Sequence, residues 1–445
     1  MRPEGPAEAA GARRRGVGSG EVTLPGHPHL VRDADGELRL EGHSLADLAR
    51  RHGTPLYVYS RTAMLDALAG YQRALEGLPH LICYAIKANS NLAVLQTFAR
   101  AGCGFDIVSG GELERVLAAG AEPSKIVFSG VGKTAAEMRR ALEVGVHCFN
   151  VESLGELERL AEVAAAMGRR APVSLRVNPD VDAGTHPYIS TGLKDNKFGI
   201  PHDEALAVYR RAAALPSLQV VGIDCHIGSQ ITQLEPYLDA LGRVLDLVEA
   251  VEAEGIALAH VDVGGGLGIT YTDEAPPSPE TLVRGLADLM RARGHGHRQL
   301  LVEPGRSLVG NAGVLLAEVQ YLKPGETKNF CIVDAAMNDL VRPAMYEAWM
   351  AIEPCRPGAD TVAATWDVVG PVCESGDWLG RDRRLAVAPG DIVAVLSAGA
   401  YGMAMAGNYN SRPRAAEILL DGDAVHVVRE REDTRALFAL ERLLA

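Results

Sequence analysis

The sequence predicts an α/β protein in two parts, a (β/α)8 barrel and a mostly antiparallel β-domain. Between residues 81 and 303, eight short β-rich runs alternate with Ala/Leu/Glu/Arg stretches of helical spacing. Alternation of that kind implies a parallel sheet, and eight units match a closed barrel. The second part rests on a change of rhythm. After Arg306, strand-like runs recur without intervening helices.

In chain order, residues 1–20 are rich in Gly, Ala, Pro and Arg and lack an apolar core segment. They read as a disordered tail rather than a secretory signal. A hairpin around Asp33-Ala34-Asp35-Gly36 and a strand-like run at 56–60 follow, and could belong to either part. Counted with the barrel, 56–60 would be a ninth strand, which keeps an open doubly wound sheet as the rival architecture. The eight runs are 81–88, 104–109, 125–130, 147–152, 173–178, 218–226, 258–264 and 299–303. Stretches such as 110–120 and 153–168 carry the helical period between them. Beyond the barrel, strands are expected at 314–322, 329–335, 366–373, 391–398 and 415–428, the last a hairpin turning at Asp421-Gly422-Asp423. Residues 429–445 read as a closing helical segment.

Composition narrows the function classes. Hydrophobic residues make up 47% and charged residues 23% of the 445, which is ordinary for a globular protein. No apolar run approaches about 20 residues, the length of a membrane span. A net charge of −13, with Arg13-Arg14-Arg15 as the only basic tract, argues against nucleic acid as a partner. Seven cysteines without a CxxC pair point to reduced thiols in a cytosolic enzyme, not to disulfides or a zinc site, so no metal is expected.

In a parallel barrel the reactive groups stand at the carboxyl ends of the strands. Read in order, those ends give Lys87, Asp106 with Ser109, Ser129-Gly130, Glu152, Arg176 with Asn178, His226 with Ser229, Gly264-Gly265-Gly266, and Glu303 with Arg306. Lys87 is the most informative of them. It closes an apolar run that reads as a buried strand, where a cation is out of place. A partly desolvated amine sheds its proton more readily and becomes a nucleophile. A lysine that snorkels out to solvent is the plain alternative. The glycine loop follows a strand and would let backbone N–H groups approach a phosphate, or it is simply a tight turn. Its register is not G-x-G-x-x-G, which disfavours a dinucleotide. Glu303, in Glu303-Pro304-Gly305-Arg306, could face a pyridine nitrogen and keep it protonated, or pair with Arg306 across the turn. His226 could stack on a cofactor ring with Ser229 as a phosphate ligand, or be a satisfied core histidine. An amine, an imidazole, a glycine loop and a carboxylate are the parts that a pyridoxal phosphate site uses.

The second part adds Cys373-Glu374-Ser375-Gly376-Asp377 and Gly399-Ala400-Tyr401-Gly402. A thiol beside a carboxylate could be a general acid next to a substrate-reading group, or a buried structural cysteine with a surface glutamate. Arg342 could clamp a carboxylate bidentately, or be a surface arginine before a proline.

Taken in order, the segments YAIKANSN, GFDIVSGGEL, GTHPYISTGLKDNKFG, HIGSQI, VDVGGGLG, VEPGRSLVGNAG, VRPAMYEA, VGPVCESGDWLG and GAYGMAMAGNYNSRP run from residue 84 to 413. With them the chain resembles the fold-type III pyridoxal-phosphate decarboxylases, and within those the branch acting on diaminopimelate. The resemblance implies a barrel of the alanine-racemase-like type with 56–60 in the β-domain. The division would then be a tail at 1–20, a segment at 21–60 joining the β-domain, a cofactor-binding barrel at 61–308 and a β-domain at 309–445. It further implies that Lys87 is the Schiff-base lysine and that His226 stacks on the ring. Ser229, Gly266 and the backbone of Glu303, Pro304, Gly305 and Arg306 would hold the phosphate side, with Glu303 on the pyridine nitrogen and Tyr401 near cofactor and substrate. Arg306, Arg342, Tyr346 and Glu374 would read the substrate, and Cys373 would donate the proton. The reaction implied is decarboxylation of meso-2,6-diaminopimelate to L-lysine and CO2, the last step of lysine biosynthesis. The family also implies a cytoplasmic homodimer whose partner chain supplies Cys373 and Glu374.

Overall fold

The computed structural model describes residues 21–182, 197–358 and 361–444. The tail at 1–20 and most of the GTHPYISTGLKDNKFG segment lie outside the described residues. Eight parallel strands close on themselves in the order His80–Ala85, Gly104–Ile107, Ile126–Phe128, Cys148–Val151, Ala171–Asn178, Leu218–Asp224, His260–Asp262 and Gln299–Val302, with the last paired back to the first. Pairing is parallel throughout, as βα alternation requires. The closed ring excludes the open doubly wound sheet.

Helices follow the strands on the outside, and their starts are written in the sequence. Ser109, Thr134 and Ser153 each accept a backbone N–H three residues on, and Glu137 returns the bond at Thr134 to complete a capping box. The eighth strand is followed only by the four-residue helix Arg306–Val309. The helix Arg61–Leu75, which precedes strand one, packs beside Pro279–Ala292 and closes the helical ring there.

The run at 56–60 does not enter the barrel. Leu56–Ser60 pairs antiparallel with Gly313–Lys323 and parallel with Ala416–Asp421 in a second, mostly antiparallel sheet. Its five residues are all buried, which explains why it reads like a barrel strand. Residues 22–44 form a separate four-stranded sheet, and Leu30, Leu38 and Leu40 pack in one apolar cluster with Leu56, Val314 and Ile418.

Some expectations need correction. Strand one ends at Ala85, and Lys87 lies on the 3-10 turn Ile86–Ala88 that follows. Residues 429–444 are not a helix: only the 3-10 turn Thr434–Phe438 forms, with Leu440, Leu443 and Leu444 exposed. Without a core to cover, that apolar stripe has nothing to hold a helix in place. The strands Ile352–Pro354 and Trp378–Leu385 were not foreseen. The second carries four consecutive charged residues (WLGRDRRL), which hides it from a search for alternating or apolar runs. All seven cysteines are free, six of them buried and Cys373 exposed. Among the described residues, no helix is long and apolar enough to cross a membrane.

Candidate active site

The ends of the barrel strands converge on Lys87. Its ammonium forms a hydrogen-bonded ion pair with Asp106, the last polar residue of strand two. The pocket around the amine is densely packed, yet 38% of the side-chain surface stays open. Burial pulls the ammonium pKa down, but the charges of Asp106 and Glu303 outweigh it and hold Lys87 above the usual lysine range. Desolvation is the largest influence on the amine but not the one that prevails: the neighbouring acids, Asp106 first, favour its charged form.

His226 follows the sixth strand, and its Nδ1 accepts the Gly265 N–H at 3.2 Å. Burial, with the nearby charges of Arg176 and Lys87, drives its pKa well below the usual range, so the ring is neutral. The glycine loop is packed too tightly for any side chain. A Cβ on Gly265 would stand 2.1 Å from the Glu303 carbonyl oxygen, and one on Gly266 would stand 2.3 Å from that of Gly228. Gly266 also has φ +99°, in the region that favours glycine. Thus 226–229, 264–266 and 303–306 meet as one loop cluster. Within it the Pro304 carbonyl accepts the Ala85 N–H at 3.1 Å, and a Cβ on Gly305 would crowd Ala85 and Ala88.

Glu303 and Arg306 do not pair across their turn. Glu303 faces inward to Asp262 and Asp224, the three offering carboxylate oxygens within 4.8 Å of one another. Asp224 Oδ1, Asp262 Oδ2 and Glu303 Oε1 are buried without hydrogen-bond partners. Burial first, then mutual repulsion, raises Glu303 and Asp224 well above the carboxylate range, and burial lifts Asp262 to about 7. Beside this group, Glu152 accepts from Arg176 Nη1 at 3.2 Å and from the backbone N–H of Gly130 at 2.8 Å, which ties strands three to five together.

Arg306 turns the other way. Its Nη2 donates to Ser229 Oγ at 2.8 Å, its Nη1 donates to the Tyr271 hydroxyl oxygen at 2.5 Å, and its guanidinium lies 4.8 Å from the Tyr401 ring centroid. Tyr401 comes from the β-domain, at φ 56°, and its N–H donates to the Ala88 carbonyl at 2.7 Å, one residue past Lys87. A non-glycine residue in that conformation is uncommon. Arg342 reaches the same phenol: its Nη1 donates to Tyr271 at 2.8 Å. Tyr346, half-buried at the end of the helix Arg342–Tyr346, adds to the field around Arg306.

Residues 63–310 match the pyridoxal-binding domain of the pyridoxal-dependent decarboxylases. The chain is 62% identical to the diaminopimelate decarboxylase of Pseudomonas aeruginosa over 92% of its own length and 98% of that protein. The chain belongs to the diaminopimelate decarboxylase family. Among solved structures, the diaminopimelate decarboxylase from M. jannaschii, in co-complex with L-lysine, is similar with a TM-score of 0.90 at 38% identity, covering 95% of this chain and 99% of that one. The diaminopimelate decarboxylase from Helicobacter pylori, complexed with L-lysine, gives 0.85 at 43% identity, covering 89% and 98%.

The residues present fit the pyridoxal phosphate on which this family depends. Three buried carboxyls so close together are forced to hold protons, and a pyridine nitrogen against Glu303 would offer a cationic partner to the ionised form. The Ser229 hydroxyl, the glycine loop and the Gly305 turn bring polar groups together on another side of the Lys87 pocket, as a phosphate needs.

Of the residues singled out from sequence, the structure gathers Lys87, His226, Ser229, Gly266, Glu303, Pro304, Gly305, Arg306, Arg342, Tyr346 and Tyr401. Cys373 and Glu374 stand apart from them. Both are exposed on the β-domain, the Cys373 N–H donating to Asn410 Oδ1 at 2.9 Å and Glu374 Oε2 accepting from the Tyr409 hydroxyl at 3.0 Å. Among the described residues neither bonds to the barrel group. Sequence reasoning gave no role to Asp106 and passed over Asp224, Asp262 and Tyr271. The aspartates carried a usable signal, a charge inside an apolar strand, the same oddity that marks Lys87. Tyr271 sits in a loop and carried none.

Proposed function

We propose that this chain removes one carboxyl group from meso-2,6-diaminopimelate, giving L-lysine and CO2, as a cytoplasmic homodimer with shared active sites. The observation that carries the substrate reading is the pair Arg306 and Arg342. Both residues are buried, at 5% and 7% exposure, and among the described residues their guanidiniums bond to Tyr271 and Ser229 and to no carboxylate. Two buried like charges without a counter-ion are costly, and a substrate carboxylate at the end remote from the reaction would neutralise them. Ornithine and arginine have no carboxylate at that end.

The roles we assign are these. Lys87 would hold the cofactor covalently, and the neutral His226 would lie against its ring. Ser229, Gly266 and the backbone of Glu303–Arg306 would hold the phosphate side, while Glu303 would keep the pyridine nitrogen protonated. Pyridoxal phosphate, when bound, supplies the sink for the electron pair that the departing carboxyl group leaves behind. Arg306, Arg342 and Tyr346 orient the far carboxylate, Glu374 takes the far amine, and Tyr401 lies beside cofactor and substrate. Cys373 returns a proton from its thiol to the carbon that lost CO2.

The exposure of Cys373 and Glu374 in the single chain supports the shared site, since both would be completed by a neighbouring barrel. The domain division we favour is 21–60 with the β-domain, 61–308 as the barrel and 309–445 as the β-domain. Seven free thiols support a reducing compartment. The test is to incubate purified protein and pyridoxal phosphate with diaminopimelate, ornithine, arginine or lysine separately and to measure CO2 and the amine product. Release from ornithine in preference to diaminopimelate would overturn the substrate reading.

A further inference from the structure

Tyr271 takes part in more of the arginine geometry than any other residue. Its phenol oxygen accepts from Arg306 Nη1 at 2.5 Å and from Arg342 Nη1 at 2.8 Å. Both guanidiniums also lie against its ring, at 5.9 and 4.9 Å from the centroid. The two arginines come from different parts of the chain, one at the end of the barrel and one on a short helix of the β-domain. Among the described residues, no other side chain is hydrogen-bonded to both. With both acceptor positions used by the arginines, the hydroxyl proton of Tyr271 is left to donate elsewhere.

The loop that presents this tyrosine is itself fastened. Glu274 Oε2 accepts the backbone N–H of Tyr271 at 2.9 Å and that of Thr272 at 2.7 Å, and the Thr270 hydroxyl donates to the Glu274 carbonyl at 2.8 Å. Asn311 Nδ2 donates to the Thr270 carbonyl at 3.0 Å. The phenol is thus held at a fixed height by its own loop. It is not a passive neighbour carried along by the arginines.

We propose that Tyr271 is a positioning and specificity residue for the far carboxylate of the substrate. Its oxygen sets the spacing of Arg306 and Arg342, and its free hydroxyl proton donates to the carboxylate that the two guanidiniums receive. A carboxylate bound there gains one neutral donor and two cationic ones. A substrate without that carboxylate gains nothing from the tyrosine. This inference rests on the diaminopimelate reading above.

The experiment compares the parent holoenzyme with Tyr271→Phe, which keeps the ring under both guanidiniums and removes only the oxygen. The KM for diaminopimelate should rise about tenfold with kcat within about twofold, the signature of a lost ground-state binding contact. The kcat/KM for ornithine should be unchanged. Direct binding supplies a second readout: L-lysine, which retains the far carboxylate and amine of diaminopimelate, should bind the variant about tenfold more weakly in calorimetry. Binding of 1,5-diaminopentane, which has no carboxylate, should not change. A general structural defect would weaken every ligand alike, and that result overturns the proposal. A parent that prefers diaminopimelate, with a variant whose preference and lysine affinity are unaltered, overturns the role of Tyr271 alone. A parent that prefers ornithine overturns the substrate reading and this inference with it.

Discussion

Lys87 and Cys373 are the two side chains proposed to react, and their surroundings differ in nearly every physical respect. Lys87 lies among buried charges contributed by several barrel strands, paired with Asp106 and under the influence of Glu303. Cys373 lies exposed on a loop of the β-domain, and its backbone N–H bonds to Asn410. A closed barrel concentrates side chains from distant parts of one chain into one low-dielectric space, where charges act strongly on each other. A loop on the outside of a sheet domain has no such company. It acquires one only when another surface covers it.

Mutation at Lys87 breaks the comparison most directly. Lys87→Ala should abolish activity and the borohydride-reducible link that absorbs near about 420 nm; persistence of that absorbance would remove Lys87 from its assigned place. Cys373→Ala should likewise reduce turnover severely. The two variants mixed, denatured together and refolded should recover about a quarter of parental activity, because half the dimers would carry one intact site. If the mixture recovers nothing while each variant refolds, the site is not shared.

Arg342→Met comes next. It should cost about 2–5 kcal/mol in kcat/KM for diaminopimelate, the usual loss when a desolvated charge pair is broken. The rate on ornithine should suffer less, and the ratio of kcat/KM for the two substrates is the measurement. An unchanged ratio would show that the buried guanidinium is not read by substrate.

A smaller effect is expected at Glu303. Glu303→Gln should retain cofactor and lose about 1.5–3 kcal/mol of transition-state stabilisation, roughly 10- to 150-fold in kcat. Activity within about twofold of the parent would reduce Glu303 to a structural member of the acid cluster.

The smallest effect concerns pH. Asp262 is raised by burial from 3.8 to about 7. A carboxyl whose folded pKa exceeds its unfolded one stabilises the fold fully below the unfolded value and loses that contribution as pH rises through the folded value. The melting temperature of the cofactor-free protein should therefore fall by a few degrees between about pH 4 and 7. Asp262→Asn should flatten part of that slope, and an identical slope in the variant would place the titration elsewhere.

How far the sequence could be read depended on what each residue's signal required. The eight barrel strands were legible because each is a short apolar run between helical stretches, a local pattern that closure does not alter. The motifs around Lys87, Glu303 and Cys373 were legible as well, since unusual residue types stand at strand ends or beside one another. The closing segment at 429–444 was misread, because helical spacing forms a helix only when its apolar face has something to cover. Leu56–Ser60 could not be assigned from its own residues, since a fully buried strand has the same composition in a barrel and in a sandwiched sheet.

The sequence by itself therefore determined the order of the barrel elements, the barrel class and a part of the candidate site residues, because these follow from period and residue type. Only the tertiary structure decided which groups act on one another. It set Asp106 against Lys87 and reversed the expected direction of the lysine's pKa. It gathered Asp224, Asp262 and Glu303 so closely that burial and mutual repulsion raise their pKa values, and it brought Arg306 and Arg342 to one phenol oxygen. The physical reason is range. Periodicity is a property of neighbours in the chain, whereas electrostatic coupling depends on distances that close only when strands far apart in sequence share one barrel.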